Sequence, residues 1–213
     1  MLISRRNILQ LVGGSLAGSV LPAPAWADSD PNSPYAQRSI GSPGAPVTAI
    51  EYFSLTCTHC AHFANVTMPQ VKPNLVDTGK LQIIYRDFPL DSVALMAAQV
   101  ARSLPADEYY PFIEALFANQ DDWAFVPVTD PNNPPDYAAL LFKYAALAGM
   151  DQGSYNAAIA DAKLKAWILA GQQDAESKYN IDSTPTFIIN GKVMTGAFEY
   201  DAFAQIVAKA AAG

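Results

Sequence analysis

Strand signals occur at both ends of this chain and a long helical block lies between them, so the sheet must be assembled from distant pieces. Residues 47–54, VTAIEYFS, are apolar at nearly every position, the pattern of a strand covered on both faces. Residues 81–86, LQIIYR, read as a second strand. Helix signals between them run from Cys57 to about Val76, with a break expected at Pro69 and a stop at Asp77-Thr78-Gly79. Strand, helix, strand implies a parallel pair. From Asp91 to about Tyr179, apolar residues recur at helical spacing. One proline-rich stretch interrupts them, residues 121–136, and is expected to be a long loop. Strands return at 184–190, TPTFIIN, and 192–197, KVMTGA, joined by the hairpin signal Asn190-Gly191. A helix, YDAFAQIVAKAAA, follows. The order predicts one α/β domain over residues 46–213, with a helical subdomain inserted at about 91–179.

The first 27 residues read as an export signal. They begin with a charged stretch, continue through an apolar run too short to span a bilayer, and end in Ala25-Trp26-Ala27, an A-x-A-like cleavage site. Ser4-Arg5-Arg6-Asn7-Ile8-Leu9 resembles a twin-arginine signal, with Ile8 where Phe is usual. Cleavage after Ala27 would remove two arginines and no acid, moving the net charge from −7 to −9. An acidic chain without a basic run is a poor ligand for nucleic acid or an anionic membrane. Residues 28–45 are rich in Pro, Ser and Gly and are expected to be flexible.

The chain has two cysteines, Cys57 and Cys60, three residues apart where the first strand gives way to helix. That spacing at a helix start is within disulfide range. The loop it closes is tiny, so the bond would add little stability by chain entropy. A bridge so placed is better read as one that is made and broken. Cys57 would sit at the helix N-terminus, where free N–H groups and the dipole favour a thiolate, and a protonated His59 would add positive charge. Cys57 is therefore the expected nucleophile and leaving group, and Cys60 the resolving thiol.

Cys57, His59, Cys60 and His62 also offer four soft ligands within six residues. Tetrahedral zinc sites usually draw ligands from two separated segments, so copper or zinc handling is the lesser alternative. Glu51 is an acid inside an apolar strand, where burial would raise its pKa and suit it to pass protons to Cys60; Lys80 is its expected partner. Pro185, after Thr184, stands at the entrance of the third strand, and residue reading leaves its peptide bond open between trans and cis.

The segments EYFSLTCTHCAHF (51–63), YRDFPLD (85–91) and STPTFIINGKVMTGA (183–197) together resemble the DsbA-like branch of the thioredoxin superfamily. The resemblance covers nearly all of the chain after the leader, helical insert included. It implies a thioredoxin fold with an inserted helical subdomain, a Cys57–Cys60 redox pair, and a cis Pro185 beside it. It further implies substrate contacts at Thr184 and Pro185, with Glu51 in the place of the family's buried acid. No cofactor or metal is implied. The chain departs from the family in carrying Thr58 where Pro usually precedes the histidine, and in its long 121–136 loop. The expected function is a periplasmic protein thiol–disulfide oxidoreductase, a monomer that oxidises reduced exported proteins and is recharged by a DsbB-type membrane oxidase. The alternative within the class is an isomerase or reductase kept reduced by a membrane reductase.

Overall fold

The computed structural model describes residues 30–213; the export signal expected at 1–27 lies outside them. Five strands form one sheet: β1 (Arg38–Ile40), β2 (Val47–Phe53), β3 (Leu81–Asp87), β4 (Thr186–Ile189) and β5 (Lys192–Thr195). They are ordered β1-β3-β2-β4-β5. Only β2 and β3 run parallel; the other pairs are antiparallel. The central pairing joins Glu51 to Tyr85 on one side and to Phe187 on the other. The β4–β5 hairpin turns through Asn190 and Gly191 at φ 48° and 75°. Two successive positive φ values are what a tight hairpin turn of the I′ kind requires.

Helices α1 (Thr58–His62) and α2 (Met68–Val71) belong to one helical run that reaches Val76. The break expected at Pro69 does not occur. Wider π turns at Phe63–Thr67 and Lys72–Val76 take up the irregularity instead, with Met68 N–H bonded to Phe63 O and Asp77 N–H to Lys72 O. Pro69 and Pro73 each lack an N–H and crowd the carbonyl four residues back, and a widened turn accommodates both defects.

Six helices lie between β3 and β4: α3 (Ser92–Arg102), α4 (Ala106–Ala118), α5 (Gln120–Trp123), α6 (Tyr137–Leu147), α7 (Gln152–Ala160) and α8 (Ala162–Tyr179); α9 (Tyr200–Ala211) follows β5. Aspartates define four of their starts. Asp91, Asp136, Asp151 and Asp161 each accept a backbone N–H from the first turn of α3, α6, α7 and α8. The loop expected at 121–136 begins later, because Trp123 is fully buried at the end of α5 and donates its indole N–H to Leu116 O.

The sheet buries both faces. Ala49, Phe53, Ile83, Tyr85 and Phe187 pack with α4 and α9 in the main core, where Phe63, Phe187 and Phe203 form a ring cluster with centroids 4.8–5.3 Å apart. Tyr52 and Ile188 face the other way, onto Ala175 of α8 and Ile181.

The segment expected to be flexible at 28–45 instead contains β1. Arg38 is 2 % exposed and donates to the backbone carbonyls of Arg102 and Leu104, tying β1 to the end of α3. Gly41 then turns the chain at φ +87°, where a Cβ would lie 2.5 Å from Leu81 O. The polar, small-residue composition that suggested flexibility is thus turn chemistry around a three-residue edge strand.

Candidate active site

Cys57 is the N-cap of α1, with extended backbone at φ −85° and ψ 119°. Its Sγ accepts the Cys60 N–H at 3.3 Å. On the opposite side Sγ lies 3.3 Å from Thr184 O, which accepts from the thiol. The Thr184–Pro185 bond is cis. Cys57 and Cys60 are both free thiols, 7 % and 0 % exposed.

Their chemistry diverges. The Cys57 thiol is lowered to about 5, first by hydrogen bonding from Cys60, against the opposing effect of burial, and then by Thr184 and the backbone N–H groups of Cys60 and His59. The Cys60 thiol is pushed well above its ordinary value, first by burial and then by the neighbouring Cys57 and Glu51. A single helix turn therefore holds one thiol ready to ionise and one that keeps its proton.

Residues from the insert and the loops brace this turn. Gln120 of α5 donates its side-chain N–H to Leu55 O and Cys57 O, at 2.8 and 3.2 Å. Thr56 Oγ1 donates to Asp91 Oδ2 at 2.6 Å, and Ser54 Oγ accepts from Leu90 N–H. The sequence reading missed Gln120, Ser54 and Thr56. Asp91 was recognisable only as a helix start, and nothing in the spacing ties Gln120 to a loop more than sixty residues earlier.

Glu51 lies on β2 beneath the thiols, 4 % exposed. Its carboxyl is raised to about 8, mainly by burial and secondarily by the Cys57 charge. Lys80 is not its partner. Lys80 is exposed, and its Nζ reaches only Asn74 O at 3.5 Å. The register explains the correction: Glu51 pairs with Tyr85, whereas Lys80 precedes the Leu81–Val47 pair, about 16 Å away along the strand at ~3.3 Å per residue.

The two histidines turn outward. The His59 side chain is exposed, and its contribution to Cys57 is made through the backbone N–H. His62 is also exposed and meets Glu199 Oε1 at 2.8 Å. The four soft ligands of the 57–62 segment therefore diverge, and among the described residues no group of three or more His, Cys, Asp or Glu side chains is placed to hold a metal ion.

A buried dithiol at the first turn of a helix, facing a cis-proline loop across a sheet of this order, is a site equipped for thiol–disulfide exchange. A family model described as thioredoxin matches residues 34–209. The crystal structure of alpha-DsbA1 from Wolbachia pipientis superposes with a TM-score of 0.74 at 30 % identity, covering 91 % of this chain and 94 % of that one. The chain belongs to the thioredoxin family, in its DsbA-like branch. A protein-disulfide isomerase from Novosphingobium aromaticivorans shares the fold, with a TM-score of 0.73 at 24 % identity, over 82 % of this chain and 97 % of that one. Among curated relatives, a Rickettsia felis protein that carries the name of a protein-disulfide oxidoreductase is 28 % identical over 172 residues, 80 % of this chain. The chain spans about three-fifths of that relative's length, the aligned part being 59 %. Disulfide bond formation protein D of Bacillus subtilis is 24 % identical over 81 % of this chain and 76 % of that protein. No helix among the described residues is long and apolar enough to cross a membrane.

Proposed function

We propose that this chain is a periplasmic thiol–disulfide oxidoreductase that transfers the Cys57–Cys60 disulfide to reduced exported proteins. The observation that carries the reading is the unequal placement of the two thiols: Cys57 caps α1, accepts the Cys60 N–H and lies against the cis-proline loop, while Cys60 is fully buried, so the first is disposed to ionise and the second to keep its proton. A substrate thiolate attacks Cys57 Sγ, the Cys57–Cys60 bond breaks, and Cys60 leaves and takes up a proton. A second substrate thiolate then attacks the substrate sulfur of the mixed disulfide, and Cys57 leaves as a thiolate. The substrate loses two electrons and two protons; the enzyme pair gains the electrons and keeps one proton on Cys60. An easily formed Cys57 thiolate stabilises the reduced protein, which makes the disulfide the stronger oxidant. This supports the oxidase direction over an isomerase or reductase. On this reading Thr184, whose carbonyl lies 3.3 Å from Cys57 Sγ, and the adjoining Pro185 contact the substrate chain, and Glu51 exchanges a proton with Cys60. A DsbB-type membrane oxidase would restore the disulfide, and the Arg5-Arg6 leader would deliver the chain by the twin-arginine route.

The test is the reduction potential of the pair together with its redox state in cells, trapped by thiol alkylation. A mostly oxidised pair is expected, and a mostly reduced one transfers the assignment to the isomerase or reductase. Cys60→Ser should accumulate mixed disulfides on Cys57, and Cys57→Ser should abolish exchange. Replacing Arg5 and Arg6 by Lys should block export.

A further inference from the structure

Behind the active-site helix lies a cavity of about 10 Å³, bounded by Glu51, Phe63, Ala64, Met68, Tyr85, Tyr110, Ile113, Glu114 and Phe117. That is room for about one water molecule. Its polar wall is graded in exposure: Glu51 and Tyr85 are 4 % exposed, Tyr110 is half-buried, and Glu114 on α4 stands in solvent. The Tyr85 and Tyr110 rings stack with centroids 5.7 Å apart and planes 28° from parallel. We propose that Tyr85, Tyr110 and Glu114 form, with this cavity, the proton route between buried Glu51 and solvent, and that Glu114 is its outer terminus.

The route rests on the redox reading above, because it serves the proton that Cys60 gains and loses. Lys80, the cation first expected beside Glu51, is too far away to carry protons there. Tyr110 is electrostatically coupled to both Tyr85 and Glu114, and Tyr85 to Glu51 and Tyr110. The titratable groups coupled to Glu51 are Cys57 at the cap of α1, Cys60 on α1, Tyr85 on β3 and Tyr110 on α4, with Glu114 of α4 across the same cavity and Tyr109 beside Tyr85; β4 contributes Phe187. Both phenols are held neutral, chiefly by burial. They therefore pass protons by exchanging hydrogen bonds, without ionising. During reduction by a dithiol, the dithiol loses two electrons and two protons, and the Cys57–Cys60 bond takes the electrons. Cys60 takes one proton from Glu51, Glu114 supplies its replacement through the phenols, and Cys57 remains a thiolate. One proton per turnover is thus released to solvent.

The test is stopped-flow reduction of the oxidised chain by dithiothreitol, followed with a pH-indicator dye, for the wild type, Glu114→Gln and Tyr110→Phe. Both variants should slow proton transfer about tenfold, a fraction of the ~10²–10⁴ that a positioned proton-transfer group contributes. The Cys57 thiolate titration should stay at its wild-type midpoint. A small buffer acid such as imidazole should restore the rate, which repair of a packing defect would not do. Wild-type proton kinetics in both variants, or a slowing that imidazole leaves untouched, overturns the route. A wild-type chain that does not exchange with dithiothreitol removes the redox reading and the route with it.

Discussion

Two acids are buried on adjacent strands of this sheet, and their surroundings are opposite. Asp87, at the end of β3, meets the Arg102 side chain, which is 1 % exposed. That guanidinium also donates to Pro34 O and Ala36 O, each at 3.2 Å, and lies 4.5 Å from the centre of the Trp167 ring. Glu51, on β2, enters no ion pair among the described residues. Asp87 is neutralised by a partner, so its charge organises structure: it fastens the N-terminal segment, the sheet and the insert together. Glu51 has no cation to hold its charge, so it answers to proton supply and to the state of Cys57. A buried acid works as a clamp when paired; alone, it holds its proton to higher pH.

Breaking the clamp should have the largest effect. Arg102→Met leaves Asp87 buried without its cation and should cost about 3–5 kcal/mol, read as a lower urea midpoint. Asp87→Asn combined with Arg102→Met should recover part of the loss. If Arg102→Met were mild, the paired and solitary acids would not differ in kind.

Glu51→Gln should act in the other direction. The folded carboxyl titrates near 8, against 4.5 for its ordinary value, so the folded chain binds a proton that the unfolded chain releases. Stability from this group is full below pH 4.5 and is lost as pH rises towards 8. At pH 7 the substitution should therefore stabilise by up to about 3 kcal/mol, at ~1.36 kcal/mol per unit. The gain should vanish near pH 4 in urea titrations.

Cys57 has the opposite sign. Its thiol falls from 9.0 to about 5, so its stabilisation of the reduced chain is full above pH 9 and is lost as pH falls through 5. Compared with Cys57→Ser, the reduced chain should be favoured by about 2 kcal/mol at pH 7 and by almost nothing at pH 4. Thiolate absorbance near 240 nm should show a midpoint near 5.

The smallest effects belong to the exposed pair and the exposed ring. Glu199→Gln, which removes the His62 contact, should change stability by less than ~1 kcal/mol. His59→Ala should move the Cys57 titration by less than about one unit, because the backbone N–H that reaches the thiol survives the substitution.

Elements whose periodicity and punctuation agree were legible from sequence: β2, β3, the Asn190-Gly191 hairpin and the run of insert helices. So was the meeting of Cys57 and Cys60 at a helix start, which their spacing dictates. What was not legible depends on long-range register. Composition hid β1, because three residues inside a Pro- and Gly-rich stretch become a strand only by pairing with β3. Lys80 looked adjacent to Glu51 until the Glu51–Tyr85 register placed it several residues away. Tyr110, Glu114 and Gln120 drew no notice within the helical block, since only the docking of the insert onto the sheet brings them near Glu51 and Cys57. Pro69 misled because a helix can widen around a proline as well as stop at it.

The pairing of β2 with β4 also sets an order of events. Cys57 and Cys60 leave the ribosome together, but Thr184 follows Cys57 by 127 positions. Contacts so distant in sequence close late, since the intervening chain must first be gathered at an entropic cost. A nascent chain that has not yet reached Thr184 has both thiols but neither β4 nor the carbonyl that meets Cys57. The surroundings of Cys57 are therefore complete only once β4 has docked beside β2.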